Sequence, residues 1–451
     1  MAEGHIAVVG GGVSGLTAAW LLSRRYRVTL FERNGYVGGH THTVEAMLPE
    51  GAVPVDTGFI VYNEPNYPGL TALFRHLGVP TRPSDMSFAL SVLDEDIEWS
   101  GDNLGTLFAR RRHLLSPRFL RMVVDILRFN RHARGYLRRG VPERLTLGDY
   151  LRERGLGRGF TDHYLLPMAA AIWSCPQASL HEFPLARFLR FFDQHGLIRL
   201  GNRPQWRTVQ GGGREYVQRM LPALHAYHIN TPVRRVQRTT DGVTLFGDGG
   251  CLGHFDQVVL GGHADESLAM LAQPSDDEAA LLGRFRYQSN EAVLHTDPAL
   301  MPRRRAIWAS WNHLTRRDEA GRQPVSVTYW MNRLQGLTTH RDLFVTLNPA
   351  IPVREEQVLR RMHYSHPVFD RDTHRAQQGL PRLQGRRHTW FCGSYFGYGF
   401  HEDGVQSAVR VAWGLGVAAP WATTTTADTA TDIGPEGTPD WAVACAGEER
   451  R

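Results

Sequence analysis

HIAVVGGGVSGLTAAWLLSRRYRVTLFE, residues 5–32, decides the fold of this chain. The apolar, valine-containing run His5–Val9 predicts a strand, and a glycine-rich turn follows it directly. Leu16–Arg25 predicts an amphipathic helix, and Arg27–Phe31 predicts a second strand. The order of strand, glycine turn, helix and strand is that of a nucleotide-binding βαβ unit.

The spacing of the glycines in this unit predicts a dinucleotide ligand. Gly10 permits the tight turn, Gly12 lets the backbone approach a pyrophosphate, and Gly15 lets the helix pack closely on the strand. The N-terminus of the helix then presents free N–H groups and a positive dipole end to the phosphates. Glu32 ends the second strand, where an acid can hold the ribose hydroxyls.

Two further stretches favour FAD over NAD. The pair Gly38-Gly39 lies just beyond Glu32, where NAD binding requires no second glycine pair. This pair resembles the extension of the glutathione-reductase-like and amine-oxidase-like flavoproteins, in which the chain turns back beneath the flavin diphosphate. Residues 391–408, FCGSYFGYGFHEDGVQSA, predict a strand, a glycine turn and the start of a helix. That helix would aim the N–H groups of Gly404 and Val405 at the flavin pyrimidine, and its dipole would stabilise an anionic reduced flavin.

Composition excludes several kinds of chemistry. The chain has 451 residues, too many for one ordinary core, so two structural domains are expected. All 51 basic residues are arginines, so no Schiff-base lysine and no P-loop lysine exists. The four cysteines lie far apart without a CxxC pair, and no metal site is predicted.

Charge and hydropathy bear on the location and the partners of the chain. Residues 1–9 are too short and polar for a signal sequence, and no apolar run reaches 18 residues. A cytoplasmic enzyme is therefore predicted. Residues 101–140 hold ten arginines against two aspartates, whereas the whole chain carries only +6. Since the basic character belongs to one stretch, nucleic-acid binding is not predicted.

The basic stretch itself, residues 116–140, allows two interpretations. Helical spacing predicts arginines on one side and apolar residues on the other. The first interpretation is an ordinary surface helix that packs on the core. The second is an interfacial helix that makes a peripheral contact with anionic lipid and admits an acyl chain.

Three motifs carry a family resemblance: GGHTHTV (38–44), VDTGFIVYN (55–63) and FGYGFHEDG (396–404). With the βαβ unit, they make the chain resemble the flavin amine oxidase/phytoene desaturase superfamily over nearly its whole length. Within it, they resemble the flavoproteins associated with cyclopropane-fatty-acid synthases. The resemblance implies an α/β fold, with a Rossmann-like FAD domain of the glutathione-reductase type and a second, α+β substrate domain.

The resemblance also implies the residues that contact FAD. Val233 is included because Ile229–Val236 resembles the strand on the adenine side. Val13 and Ser14 are predicted contacts because they lie within the first glycine motif, residues 10–15. Gly38 and Gly58 are predicted contacts because they lie within the motifs at 38–44 and 55–63. The complete predicted set is Gly10, Gly12, Val13, Ser14, Gly15, Glu32, Arg33, Gly38, Gly39, His40, Thr57, Gly58, Val233, Gly393, Asp403, Gly404 and Val405.

The chain departs from the family pattern where catalysis is concerned. Many amine oxidases have Arg where this chain has His40, and the monoamine type commonly places a lysine beside flavin N5. Tyr62, Tyr398 and His401 are the predicted catalytic candidates, since each is a polar residue in a motif beside the flavin. His263 and Asp265 allow two interpretations, a turn with a helix cap or a catalytic pair.

The interleaving of patterns predicts one FAD domain built from separated pieces, with the substrate domain in the gaps. The FAD domain is expected to comprise residues 1–75, 206–275 and 388–418. The substrate domain comprises a mostly helical part, 76–205, and a sheet-containing part, 276–387, and a disordered tail spans 419–451.

The predicted function is that of an FAD-dependent oxidoreductase acting on a hydrophobic small molecule or lipid. It would take a hydride from a C–H bond, as a desaturase or oxidase of modified fatty-acyl chains. An amine or amino-acid oxidase is the alternative. A flavin-binding accessory protein of a lipid methyltransferase is a second alternative.

Overall fold

The computed structural model describes residues 3–142, 144–199, 201, 203–316 and 326–422. Its strands, in chain order, are β1 His5–Val9, β2 Arg27–Phe31, β3 Thr43–Leu48, β4 Gly51–Asp56, β5 Tyr62–Asn63, β6 Thr81–Ser84, β7 Phe88–Val92, β8 Ile97–Ser100, β9 Trp206–Val209, β10 Ala226–His228, β11 Val233–Arg238, β12 Val243–Gly247, β13 Gly250–Phe255, β14 Gln257–Leu260, β15 Arg286–His295, β16 Trp311–Thr315, β17 Ser326–Trp330, β18 Phe344–Leu347, β19 Val358–Val368 and β20 Thr389–Phe391.

The helices over the same residues are α1 Val13–Leu22, α2 Pro68–Leu77, α3 Leu104–Leu107, α4 Pro117–Arg139, α5 Leu147–Arg154, α6 Arg158–Phe160, α7 Leu166–Trp173, α8 Gln177–Leu180, α9 Leu185–Gln194, α10 Arg214–Met220, α11 Ala264–Met270, α12 Asp276–Leu282, α13 Met331–Leu334, α14 Arg371–Gly379 and α15 His401–Gly414. A π-helical turn, Thr161–Leu165, joins α6 to α7. No helix within the described ranges is both long and apolar enough to cross a membrane.

A five-stranded parallel sheet carries the predicted βαβ unit, in the order β10-β2-β1-β14-β20. Val9 pairs with Phe31 on one side and Leu260 on the other. The predicted α/β fold class is confirmed, and β1 and β2 have the predicted bounds. Helix α1 begins at Val13 rather than Leu16, because it is buried on all sides and no amphipathic period marks its start.

A second, seven-stranded sheet has the order β19-β15-β18-β17-β16-β7-β8. All of its neighbours are antiparallel except β7 and β16, which run parallel. The sheet predicted within 276–387 is present. The mostly helical prediction for 76–205 misses three strands, β6 to β8, because each has only four or five residues and β7 shows no clear alternation.

The end of the described chain corrects the predicted tail. Ala419 is buried, and the Trp421 ring stacks on that of Trp20 with centroids 6.2 Å apart. Packed chain therefore continues to Ala422, beyond the predicted start of disorder. Residues 423–451 of that prediction lie outside the described residues. The assignment of segments to two domains stays a prediction.

Candidate active site

The glycine turns of the chain meet at the carboxyl edge of the parallel sheet, where α/β folds bind their ligands. Gly10–Gly12 follow β1, Glu32 follows β2, Gly261-Gly262 follow β14 and Gly393 follows β20. The Gly38 N–H donates to the Gly11 carbonyl at 2.9 Å, so the second glycine pair lies on the first turn.

The three motif glycines have the geometry that the spacing predicts for a diphosphate cradle. A Cβ on Gly15 would lie 1.9 Å from the Gly10 carbonyl oxygen, whereas a Cβ on Gly12 would meet nothing within 4 Å. Helix α1 has no side-chain cap and no acid in its first turn. The N–H group of Ser14 has no acceptor among the described residues, and that of Val13 faces the Gly38 carbonyl across an isolated bridge. The Ser14 donor and the open space beside Gly12 suit an anionic diphosphate.

Glu32 is buried at the end of β2 and is fixed by two backbone donors. Its carboxylate accepts from the N–H of Gly11 at 2.7 Å and of Asn34 at 2.8 Å. The Thr231 N–H donates to the Glu32 carbonyl at 2.9 Å, which brings the start of β11 beside it. Val233 thus lies on the predicted adenine side, although the strand begins there and not at Ile229 as predicted, because residues 230 and 231 bond to 34 and 32 instead.

Arg33 lies at the protein surface beside α11. Its side chain is 58% exposed and pairs with Glu266 on α11 at 2.7 Å. The FAD contact predicted for Arg33 stays a prediction.

The start of α15 corrects one prediction. The Gly404 N–H donates to the Phe400 carbonyl at 3.2 Å, and Val405 lies one residue further into the helix with its side chain fully buried. The N–H groups without an acceptor among the described residues are those of His401, Glu402 and Asp403. Gly404 has another role: a Cβ there would lie 2.7 Å from Ser14 Oγ, so this glycine lets α15 cross α1 closely.

The two acids at this helix start are occupied by backbone donors. Asp403 accepts from the N–H groups of Tyr398 and Phe400, both at 2.9 Å, and burial raises its pKa to about 6. Glu402 accepts from the N–H groups of Gly69 and Leu70 at the start of α2, and burial raises its pKa to about 7. Asp403 therefore holds its own loop, and Glu402 joins α15 to α2.

Glu402 makes a pH-dependent contribution to stability. The ordinary pKa of 4.5 rises to about 7 on folding, so the folded chain holds the proton more tightly and stability falls as pH rises through that window. Wild type loses this contribution between pH 5 and pH 8, whereas Glu402→Gln has no carboxyl to titrate. The unfolding free energy of Glu402→Gln minus that of wild type is therefore expected to rise by about 2 kcal/mol from pH 5 to pH 8. Urea unfolding at both pH values measures this, with exposed Glu356→Gln as the control. An unchanged difference at the two pH values would contradict it.

A histidine and tyrosine cluster lies behind the second glycine pair. The His40 ring centroid is 5.2 Å from that of Tyr364 and 5.1 Å from that of His366. Burial, aided by the neighbouring histidines, lowers the pKa of His40 well below its ordinary value, and its buried Nε2 has no partner among the described residues. A neutral, unsatisfied imidazole of this kind suits a polar ligand atom.

Thr57 belongs to the same cluster, and Gly58 packs against the backbone of His40. The Tyr364 hydroxyl is hydrogen-bonded to Thr57 Oγ1 at 2.7 Å and to His42 Nδ1 at 2.8 Å. A Cβ on Gly58 would lie 2.2 Å from the His40 carbonyl oxygen. The sequence analysis misses His42, Tyr364 and His366; only His42 has a local signal, the HTH of residues 40–42.

Of the predicted catalytic candidates, His401 has the most developed polar surroundings. Its Nε2 is hydrogen-bonded to Thr41 Oγ1 at 3.0 Å, and that oxygen lies 2.5 Å from the Tyr216 hydroxyl. Burial lowers the pKa of His401 to about 3, so the ring is neutral at physiological pH. This chain of hydrogen bonds through Thr41 can relay a proton between His401 Nε2 and the Tyr216 hydroxyl.

The other candidates lie in different surroundings. The Tyr398 ring has the Arg187 guanidinium 4.4 Å above its centroid. Tyr62 is 2% exposed and packs edge-on against Phe74 and Tyr67, with centroids 5.3 and 6.3 Å away. Its position is that of a packing residue, so the structure does not support the catalytic role predicted for Tyr62.

His263 and Asp265 do not form a catalytic pair. The His263 ring stacks on Tyr287 with centroids 4.1 Å apart, and the carboxylate nearest to its Nδ1 is that of Glu266 at 3.8 Å. His263 occupies the N-cap position of α11, but its side chain makes no capping bond. Within the described part of the chain, no group of acids, histidines and cysteines has the arrangement of a metal site.

Comparison with known proteins identifies the family. Residues 13–340 match the family of flavin containing amine oxidoreductases. The chain belongs to this family. The oxidoreductase therefore uses FAD, and the predicted superfamily, enzyme class and cofactor are confirmed. The narrower resemblance to flavoproteins associated with cyclopropane-fatty-acid synthases stays a prediction.

Individual relatives are more distant. A carotenoid phi-ring synthase of Streptomyces griseus is 36% identical over 156 residues, which are 31% of this chain and only 28% of that relative. A fatty acid isomerase from P. acnes superposes with a TM-score of 0.62 at 14% identity, covering 90% of this oxidoreductase and 97% of the isomerase. Cyclohexylamine oxidase from Brevibacterium oxydans superposes with a TM-score of 0.62 at 16% identity, covering 92% and 99%. At these identities the two structures show a shared fold.

Proposed function

We propose that this oxidoreductase removes a hydride from a C–H bond of a fatty-acyl chain, as a desaturase or oxidase of modified acyl chains. A cavity of about 530 Å³ carries the proposal. It lies between the seven-stranded sheet and the helical segment 158–173. Its apolar and aromatic lining is Met86, Phe88, Trp99, Tyr164, Met168, Ile172, Leu197 and Trp311.

The charges at this cavity favour an acyl chain over an amine. Asp85 and Asp102 line it, but each carboxylate pairs with Arg333 at 3.0 Å. Although burial raises the pKa of Asp85, hydrogen bonds from Ser87 and Ser310 and the Arg333 charge lower it overall, so the pair stays ionised. No described carboxylate pairs with the lining residue Arg203. The cavity therefore offers a cation for a carboxylate or ester head and no unpaired acid for an ammonium.

The cavity is linked by side-chain packing to the motifs that would hold FAD. Its apolar lining packs in the same hydrophobic cluster as Ile60 and Phe400, which belong to the motifs at 55–63 and 396–404. FAD, when bound, supplies the two-electron acceptor. The residues that would hold it are the glycine and the donor of the cradle, Gly12 and Ser14, with Glu32 on the ribose side and His40 behind the second glycine pair.

The names of two relatives agree with a hydrophobic substrate, since one is a carotenoid ring synthase and another a fatty acid isomerase. The motifs GGHTHTV, VDTGFIVYN and FGYGFHEDG support the narrower assignment to flavoproteins associated with cyclopropane-fatty-acid synthases. Amine oxidation, the reaction in the name of the cyclohexylamine oxidase, is the competing outcome. An accessory role without turnover is the other.

Anaerobic absorbance of the purified yellow holoprotein tests the proposal. Fatty acids and phospholipids with cyclopropane or methyl-branched chains are expected to bleach the flavin band, whereas amines and amino acids leave it unchanged. Met168→Trp, which fills the cavity, is expected to lower the bleaching rate at least tenfold while FAD content is retained. Bleaching by amines and by no lipid would contradict the proposal, and a flavin that no substrate reduces would favour the accessory role.

A further inference from the structure

Exposed apolar side chains are concentrated in one short part of the described chain. Ten large hydrophobic side chains are exposed over all the described residues, and six of these ten lie between residues 104 and 127. Leu115 is 86% exposed and Leu104 is 76% exposed. We call these six side chains the docking face: Leu104, Leu114, Leu115, Leu120, Val124 and Leu127. An apolar patch of this density on a water-facing surface indicates an interaction site.

Helix α4 presents this face by its periodicity. Phe119, Met122 and Phe129 are buried on its inner side. Leu120, Val124 and Leu127 are spaced i, i+4 and i+7, which places them together on the opposite side. The sequence analysis predicts arginines on one side of 116–140 and apolar residues on the other. The structure corrects this, since the helix has apolar residues on both sides and arginines among the outer ones.

The outer side of α4 becomes basic toward its end. Arg131, His132, Gly135, Arg138 and Arg139 line a surface concavity of about 410 Å³ without an acidic residue. Earlier on the helix, Arg128 is bound by the buried carboxylate of Asp125 at 2.7 Å, but no described acid pairs with Arg131 or Arg138. The face thus joins an apolar half to an arginine-lined half, as interfacial helices do.

We propose that the docking face lies on an anionic lipid bilayer, with its leucines among the acyl chains and the arginines of the concavity on lipid phosphates. Arg131, Arg138 and Arg139 of the concavity pair with no described acid, and their positive charge selects an acidic surface. An acidic protein surface would also pair with these arginines, whereas a bilayer would in addition supply acyl chains to the cavity beside the face.

The bilayer would then lie beside the substrate cavity. Asn103 lines that cavity and is followed directly by Leu104 of the docking face. Trp99 and Tyr164 also line the cavity, and they pack on Phe119 and Met122 of the inner side of α4. Resting on the proposed function, we infer that an acyl chain passes from the bilayer into the cavity at this edge.

Sedimentation of the holoprotein with vesicles tests the docking. Vesicles of phosphatidylglycerol are expected to bind at least tenfold more protein than phosphatidylcholine vesicles in 0.1 M salt, and less at 0.5 M. The triple variants Leu120→Gln/Val124→Gln/Leu127→Gln and Arg131→Gln/Arg138→Gln/Arg139→Gln are each expected to lose binding at least tenfold. Met47→Gln/Ile229→Gln and Arg75→Gln/Arg375→Gln/Arg386→Gln change exposed residues elsewhere and are expected to bind as wild type.

Equal binding to both kinds of vesicle, or full binding by both α4 variants, would overturn the proposal. So would self-association in solution that the α4 variants abolish, because the face would then join two copies of the chain. The rate of flavin reduction tests the substrate route separately. In the α4 variants, a soluble short-chain acid should reduce the flavin at the wild-type rate, whereas vesicle lipid should reduce it slowly. If no acyl compound reduces the flavin, the proposed function fails while vesicle binding still decides the docking.

Discussion

Gly12→Val is expected to give a folded protein that no longer retains FAD. The backbone at Gly12 has φ −66° and ψ 176°, which valine adopts without strain. A Cβ at this position meets nothing within 4 Å, so the new side chain fills the space that the diphosphate requires. We expect the affinity for FAD to fall by about 100-fold, since the close contacts with the first N–H groups of α1 are lost.

The measurement is the FAD content after purification, together with titration of the apoprotein by flavin fluorescence. Gly249→Val is the matched control, because a Cβ on Gly249 also meets nothing within 4 Å, in the turn between β12 and β13. The apoprotein of each variant should match wild type in its circular dichroism. Normal FAD content in Gly12→Val would show that the diphosphate lies elsewhere.

Arg238→Met is expected to lower the free energy of unfolding by about 3–5 kcal/mol. Arg238 and Glu278 form a bidentate pair, with distances of 2.5 and 3.0 Å between their nitrogens and oxygens. Their side chains are 1% and 3% exposed. Removing the guanidinium leaves a buried carboxylate without its counter-ion, and this loss is larger than the value of the pair itself.

Arg234→Met is the matched control on the same strand, β11. Arg234 pairs with Asp248, but those side chains are 62% and 65% exposed, so the expected loss is much smaller than that of Arg238→Met. Urea unfolding of the apoproteins measures both variants. The double variant Arg238→Met/Glu278→Gln should recover more than half of the loss, since no buried charge remains. Equal losses in Arg238→Met and Arg234→Met would contradict the argument.

Local patterns of the sequence predict the nucleotide-binding part of the molecule well. The bounds of β1 and β2, the tight packing at Gly15 and the position of Glu32 depend on neighbours within about thirty residues of chain, and the sequence contains all of them. Gly404 shows the limit of such patterns. The motif predicts a donor to the flavin, whereas the structure uses the missing side chain for the crossing with Ser14, a contact between distant residues.

The parts that the sequence does not predict depend on distant pairing. Strand β7 is buried and finds its parallel partner, β16, more than two hundred residues later. Asp56 is also missed, although burial raises its pKa to about 7, because its partners come from distant segments. Its carboxylate accepts from the Gly213 N–H at 2.9 Å and from Gln335 Nε2 at 3.1 Å. Tyr364 and His366 likewise join His40 from a strand that carries no recognisable motif.

The strand order of the parallel sheet has a consequence for synthesis of the chain. The central strand, β1, leaves the ribosome first, but its neighbour β14 follows only at residue 257 and the edge strand β20 only at residue 389. Long loops must close before these strands pair, which makes their pairing slow. Helix α15, which crosses α1 at the mouth of the cradle, comes later still. A nascent chain that ends before residue 414 therefore lacks a complete cradle, and tight FAD binding must wait until nearly all of the described chain has been made.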